Sequence, residues 1–209
     1  MPGVKHIISA AIIVLVIAGA LFFLRSTDTK PNRMSCATEK TTIAVFGDSL
    51  VAGYGATKGN DFPSLLSKQL GAPVQNFGRN GETTSSALDR TNQVLQANPD
   101  IVVVLLGGND ALQRFPVSTT KQNLGTIIDT FQKAGMKVVL VGVAGGFGSD
   151  PFKPMYEELA KTHTVTLVPN ILKGLLGNNS FMSDQIHPND AGYAKIADRL
   201  VPVLEGTCE

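Results

Sequence analysis

The chain has 209 residues, a formal net charge of +1 and two cysteines. No basic patch, repeat or low-complexity tract is present, so the electrostatic footprint of a nucleic-acid binder is missing. Neither cysteine has the neighbours that a metal site needs.

The first element is an uncharged apolar run at 7–24. As a helix its 18 residues would rise about 27 Å, enough to cross a hydrocarbon core. Two readings compete for 1–25. One is an uncleaved membrane anchor; the other is a signal peptide cut after Ala18-Gly19-Ala20. The run continues past that cut through 21–24, which favours the anchor. Only Lys5 precedes the run, while Arg25, Lys30 and Arg33 follow it, so charge counting alone would leave the domain in the cytoplasm. Residues 26–40 are polar and aperiodic and read as a linker. Cys36 and Cys208 bracket the remainder. If the first strand starts where the last helix ends, a disulfide would staple the termini in an oxidising compartment; two separate thiols are the alternative. On that ground export is expected, to the membrane or the periplasm.

From 41 to 209 lies one domain's worth of sequence. Five apolar runs, at 42–46, 73–77, 101–106, 137–143 and 165–168, predict strands. The third and fourth lack polar alternation, as expected of strands covered on both faces of a parallel sheet. Helices are predicted between them at about 62–70, 84–97, 120–134 and 152–162, with a last one at 189–204. Leu88, Val94 and Leu95 sit at helical spacing, Asn98-Pro99-Asp100 stops that helix, and Gly135 ends the next. This alternation specifies a three-layer α/β/α sandwich with right-handed crossovers. The loops that follow the strands then share one edge, where ligands bind in open α/β sheets.

Those loops carry the chemistry. Ser49 follows strand 1 in Gly47-Asp48-Ser49-Leu50. Gly81 follows strand 2, Asn109 follows strand 3, and Asp184-Gln185-Ile186-His187 precedes the last helix. A serine hydroxyl needs a base to become a nucleophile. Of the three histidines, His6 borders the apolar run and His163 is expected to be solvated at the opposite edge, which leaves His187. Asp184, three residues earlier, is placed to orient the imidazole. A Gly81 N–H, the Asn109 amide and the Ser49 N–H would together bind an oxyanion. Each of these residues alone is a common turn or cap residue; their ordered recurrence on one edge is what carries the reading. Asp48 is expected to brace its loop, Asp190 to help cap the last helix, and Asp110 to be structural.

With these blocks the chain resembles the SGNH hydrolases, also called GDSL esterases/lipases, and among them the bacterial thioesterase/lysophospholipase/arylesterase type. The resemblance spans about 41–204 and rests on Gly47-Asp48-Ser49-Leu50, Asn80-Gly81-Glu82-Thr83, Gly107-Gly108-Asn109-Asp110 and Asp184-Gln185-Ile186-His187-Pro188-Asn189. It implies a flavodoxin-like five-stranded parallel sheet in order 2-1-3-4-5, with no cofactor. It also implies Ser49 as nucleophile, Gly81 and Asn109 as oxyanion donors, and Asp184 and His187 as the remaining triad members.

The expected substrate is a short- to medium-chain acyl ester or thioester, or a lipid, hydrolysed by a monomer. Leu112, Phe115, Phe147, Phe152 and Ile186 are candidate apolar lining, and the glycine-rich segment 144–151 is expected to border the site. Two alternatives stand beside this: an O-acetyl esterase acting on cell-envelope carbohydrate, and a non-catalytic binding module that keeps the fold.

Overall fold

The computed structural model describes residues 41–143 and 151–208, the Cys208 side chain excepted. The apolar run at 7–24, the linker, Cys36 and the 144–150 segment with Phe147 lie outside the described residues. Among the described residues no helix is long and apolar enough to cross a membrane.

Among the described residues five parallel strands form one sheet in the order β2-β1-β3-β4-β5, the order that the family resemblance implies. They are β1 (Ile43–Gly47), β2 (Val74–Gly78), β3 (Ile101–Leu105), β4 (Lys137–Val141) and β5 (Thr166–Val168). β1 and β3 are buried along their whole length, whereas the edge strands β2 and β5 are partly exposed. Alternation along the central strands sorts their side chains into two cores. Ile43, Val45, Ile101, Val103, Val139 and Val141 pack with α2 (Phe62–Leu70) and α8 (Asp190–Cys208). Ala44, Phe46, Val102, Val104, Val138 and Leu140 pack on the other face. There they meet α4 (Thr91–Ala97), α6 (Val117–Lys133) and α7 (Phe152–His163). Three short helices start at or just beyond strand ends: α1 (Ser49–Ala52), α3 (Thr84–Leu88) and α5 (Gly108–Leu112).

The helix expected over 84–97 is two helices, α3 and α4. The break falls where Arg90 turns back, donating from Nε to Glu82 Oε1 at 2.8 Å and from Nη2 to the Phe77 carbonyl at 3.2 Å. A continuous helix would carry that guanidinium away from both. Nor does Asp190 cap the last helix. Asn189 does so, its Oδ1 accepting the Gly192 N–H at 3.1 Å, while the Asp190 carboxylate is occupied by Thr57 and Asn60. His163 is not solvated either: its side chain is 16% exposed, with Nδ1 2.8 Å from Asp129 Oδ1 on α6.

At the ends of β1 and β2, Gly47 pairs with Gly78, and α1 lies directly over the second of these. A Cβ on Gly78 would stand 2.1 Å from the Ala52 nitrogen and 2.5 Å from the Val51 carbonyl carbon. Both are backbone atoms, which cannot swing aside. Gly78→Ala is therefore expected to cost about 2 kcal/mol, at the middle of the range for overpacking. That lowers Tm by roughly 4–8 °C for a domain of this size, which a thermal melt followed by circular dichroism checks.

Candidate active site

The nucleophile candidate sits at the first turn of α1. Asp48 ends the run of β1, and its Oδ1 accepts the Leu50 N–H at 2.9 Å, capping the short helix. Ser49 follows immediately and is 9% exposed, at the C-terminal edge of the sheet.

The base candidate comes from a loop 138 residues further along. His187 Nε2 lies 3.0 Å from Ser49 Oγ. The loop holding it is built around Asp184. One carboxylate oxygen accepts the backbone N–H groups of Ile186 (2.8 Å) and His187 (2.7 Å), the self-capping turn that aspartate favours. The other oxygen faces His187 Nδ1 at 2.7 Å. The His187 carbonyl in turn accepts from the Ser183 N–H at 2.8 Å and the Ser183 hydroxyl at 3.1 Å. Slight burial works to raise the Asp184 pKa. The hydrogen bonds from the Ile186 N–H and from the His187 ring and N–H outweigh it and hold the carboxyl below its usual range. An ionised carboxylate only accepts, so in the neutral imidazole Nδ1 carries the ring proton and the Nε2 lone pair faces the serine hydroxyl. This is the tautomer a general base needs.

The donors are arranged from two further loops. Asn109, at the start of α5, donates from Nδ2 to the Glu82 carbonyl at 2.9 Å. That bond ties the loop after β3 to the loop after β2. The same nitrogen is 3.5 Å from Asp48 Oδ2. Gly81 occupies a turn in the loop after β2 with φ +74°, a conformation that favours glycine.

Ser49, Asn109, Asp184 and His187 line one cavity of about 920 Å³ together with Asp48. Gly81 stands in the exposed turn beside it and is not part of the lining. Of the apolar candidates, Leu112 and Ile186 line the cavity. Phe115 does not, and Phe152 is buried in the core on the other face of the sheet. The rest of the apolar wall is Leu50, Val143, Leu172, Leu176 and Met182, with Ala111. Leu172, Leu176 and Met182 lie beyond β5 in a stretch of turns broken by Gly174 and Gly177, where no periodic pattern marked them.

Behind the site three carboxylates are buried: Asp48, Glu82 and Asp110. Glu82 is paired with Arg90. Asp110 accepts from the Thr84 N–H at 2.9 Å and from the hydroxyls of Thr84 and Thr120. Asp48 has fewer donors. Burial pushes its pKa up to about 7; the Leu50 N–H bond opposes this, and the nearby Glu82 and Asp110 charges add to it.

A Ser-His-Asp constellation at the strand ends of a flavodoxin-like sheet, with an amide donor beside the serine, defines a class of α/β serine hydrolases. The chain matches the GDSL-like lipase/acylhydrolase family over residues 45–195 and belongs to it. It is 35% identical to the arylesterase of Vibrio mimicus over 176 residues, 78% of this chain and 87% of that protein. It is 32% identical to the thioesterase 1/protease 1/lysophospholipase L1 of Escherichia coli strain K12, over 78% of this chain and 83% of that protein. Among solved structures, the crystal structure of TesA superposes with a TM-score of 0.75 at 30% identity, covering 79% of this chain and 99% of that one.

The raised pKa of Asp48 has a consequence for stability. Its usual value is 3.8. Below about pH 4 the carboxyl is protonated in both folded and unfolded chains. Between there and about 7 only the unfolded chain ionises it, so this contribution to stability falls as pH rises through the window, and the cost then persists. Asp48→Asn keeps an oxygen to cap the Leu50 N–H and removes the ionisable group. Its Tm relative to wild type is expected to be higher at pH 8 than at pH 4.5. An offset equal at both pH values would contradict the assignment.

Proposed function

We propose that this chain hydrolyses short- to medium-chain acyl esters and thioesters through an acyl-enzyme on Ser49. The observation that carries the reading is the 3.0 Å approach of His187 Nε2 to Ser49 Oγ, backed by Asp184 at 2.7 Å, in a cavity with an apolar wall. Membership in the acylhydrolase family and the esterase and thioesterase names of the relatives support it.

In the proposed cycle Ser49 Oγ attacks the acyl carbon while Nε2 takes its proton. The developing oxyanion is met by the Asn109 amide and the N–H groups of Ser49 and Gly81. Collapse of the tetrahedral intermediate expels the alcohol or thiol, which leaves with the proton from the imidazolium. Water, deprotonated by the same nitrogen, then cleaves the acyl-enzyme to the carboxylic acid and free serine.

The apolar wall supports this substrate class. Val143, Leu172, Leu176, Met182, Leu112 and Ile186 offer an acyl chain an apolar path. Leu112 is 60% and Ile186 42% exposed, so they form an apolar rim as well as a lining. A carbohydrate acetyl ester would leave these side chains facing sugar hydroxyls, and a binding module would need neither the triad nor its tautomer. The proposed setting is the cell envelope, reached through the 7–24 segment as anchor or signal, with the domain acting as a monomer.

Activity on p-nitrophenyl esters of graded chain length, beside acetylated glycans, tests the reading. Each buried methylene contributes up to about 0.8 kcal/mol, so kcat/KM is expected to rise as much as roughly fourfold per carbon from acetate until the wall is filled. A preference for acetylated glycan would favour the carbohydrate esterase instead. Ser49→Ala is expected to lower kcat by roughly 10⁴–10⁶, and a serine-directed phosphonate to label wild type once, at Ser49. Asn109→Ala is expected to lower kcat by about 10²–10³ with little change in KM, because the amide meets charge that exists only in the transition state. A variant with normal kcat and a reduced Tm would instead make Asn109 a strut.

A further inference from the structure

Tyr54 is a large side chain left 51% exposed, yet its main chain is fixed on both sides. Its N–H donates to the Ser49 carbonyl at 3.0 Å. Its own carbonyl accepts the Tyr193 hydroxyl at 2.8 Å. Gly53 and Gly55 flank it in left-handed conformations, with φ +80° and +90°. At the second of these a Cβ would stand 2.1 Å from Ser183 Oγ and 2.7 Å from the Pro188 carbonyl oxygen, so the chain passes hard against the loop that carries His187. Just beyond, Thr57 donates from N–H and hydroxyl to Asp190 at 2.7 and 2.6 Å, and Asn60 adds a third bond at 2.9 Å. These donors hold the Asp190 carboxyl below its usual range.

Held in this way, the Tyr54 ring lies over the His187 imidazole, with centroids 4.4 Å apart and planes tilted by 47°. The imidazole is only 14% exposed, in a loop where the side chain of Asp184 is 43% exposed and Ile186 is 42% exposed.

We propose that Tyr54 is a positioning residue for the reaction: its ring fixes the rotation of His187 over Ser49 and supplies a π face to the imidazolium formed when the serine is deprotonated. The inference rests on the reading of His187 as the base. Its physical basis is differential. A tilted aromatic pair is a modest attraction while the imidazole is neutral. Once the ring is charged, the contact becomes a cation–π interaction, which is stronger. A contact that strengthens on the way to the transition state raises kcat rather than tightening substrate binding. Tyr54 also joins the two reacting groups through one residue, since its main chain is bonded to Ser49 and its ring packs on His187.

The test compares Tyr54→Phe and Tyr54→Leu in the full chain, with p-nitrophenyl butyrate as substrate. Leucine is apolar but has no π face; phenylalanine keeps the face and drops the hydroxyl. Tyr54→Leu is expected to lower kcat about 3- to 30-fold, the span of a cation–π contact from exposed to desolvated, with KM within twofold and Tm unchanged. Tyr54→Phe is expected within twofold of wild type. A leucine variant at wild-type kcat would overturn the proposal. So would a phenylalanine variant as slow as leucine, which would transfer the role to the hydroxyl, and so would a change confined to KM, which would make Tyr54 a substrate wall. Phosphonate labelling run beside it separates the two levels. If Ser49 is not labelled, the acyl-enzyme reading fails; if Ser49 is labelled and Tyr54→Leu is fully active, only the present inference fails.

Discussion

The two central strands have water on neither face, and every side chain they carry is buried. Along β1 and β3 there is no polar side chain. Polar chemistry is thereby pushed off the sheet and onto the turns that follow the strands, where backbone groups and water are within reach. Because the strands are parallel, those turns share one edge. That constraint brings Ser49 from the end of β1 and Asn109 from the end of β3 onto one cavity, although 60 residues separate them. It also explains the crowding. Three carboxylates, Asp48, Glu82 and Asp110, are buried just beneath the site with little room to be solvated.

The protein answers that crowding in three ways. Glu82 is neutralised by Arg90, whose guanidinium also lies 5.1 Å over the Phe46 ring. Asp110 is satisfied by uncharged donors alone, and in being so it links α5 to α3 and α6. Asp48 receives one backbone N–H and a long contact from Asn109, and burial raises its pKa. The position left least compensated is the one next to the nucleophile. That carboxylate stands 3.5 Å from the amide that is proposed to meet the oxyanion. The two better-paired residues fix the loops that hold that amide. Glu82 does this through its carbonyl, which orients Asn109, and Asp110 through Thr84.

The approximate position of each strand was legible because the strands are compact apolar runs bounded by turn residues; the sheet order came only with the family resemblance. The residues at the strand ends were legible for a different reason. Serine, glycine, asparagine and an Asp-x-x-His pair recur in order on turns that must share an edge. Features governed by single tertiary contacts were not readable. The break between α3 and α4 depends on Arg90 reaching Glu82 and Phe77, and propensity along 84–97 carries no trace of it. Asn189 and Asp190 are both good capping residues. Which of them caps is decided by Thr57 and Asn60, more than a hundred residues earlier in the chain. The apolar wall at 172–182 follows no secondary-structure period, so its side chains were visible only as isolated hydrophobic residues.

The two halves of the site are held by different physics. Ser49 and Asn109 stand on short helices that begin just beyond buried strands, and their positions inherit the rigidity of the core. His187 stands on a loop that has no strand or helix of its own and is joined by a single bridge between Met182 and Pro188. Its placement comes from polar bonds: Asp184 to two backbone N–H groups, Ser183 to the His187 carbonyl, and Asn189 to the carbonyls of Ser180 and Met182. Each such bond contributes only about 1 kcal/mol net, and exposed ones less. If His187 is the base, as proposed, holding it within hydrogen-bond reach of Ser49 calls for an additional restraint from the rigid side. The segment from Gly53 to Asn60 is the part of the chain placed to give it, because it leaves the nucleophile helix, meets the loop through the Tyr54 ring and is tied by Thr57 to Asp190 at the start of α8. On the proposed reading, the alignment of Ser49 with His187 draws on the segment after Ser49 as well as on the polar bonds within the His187 loop.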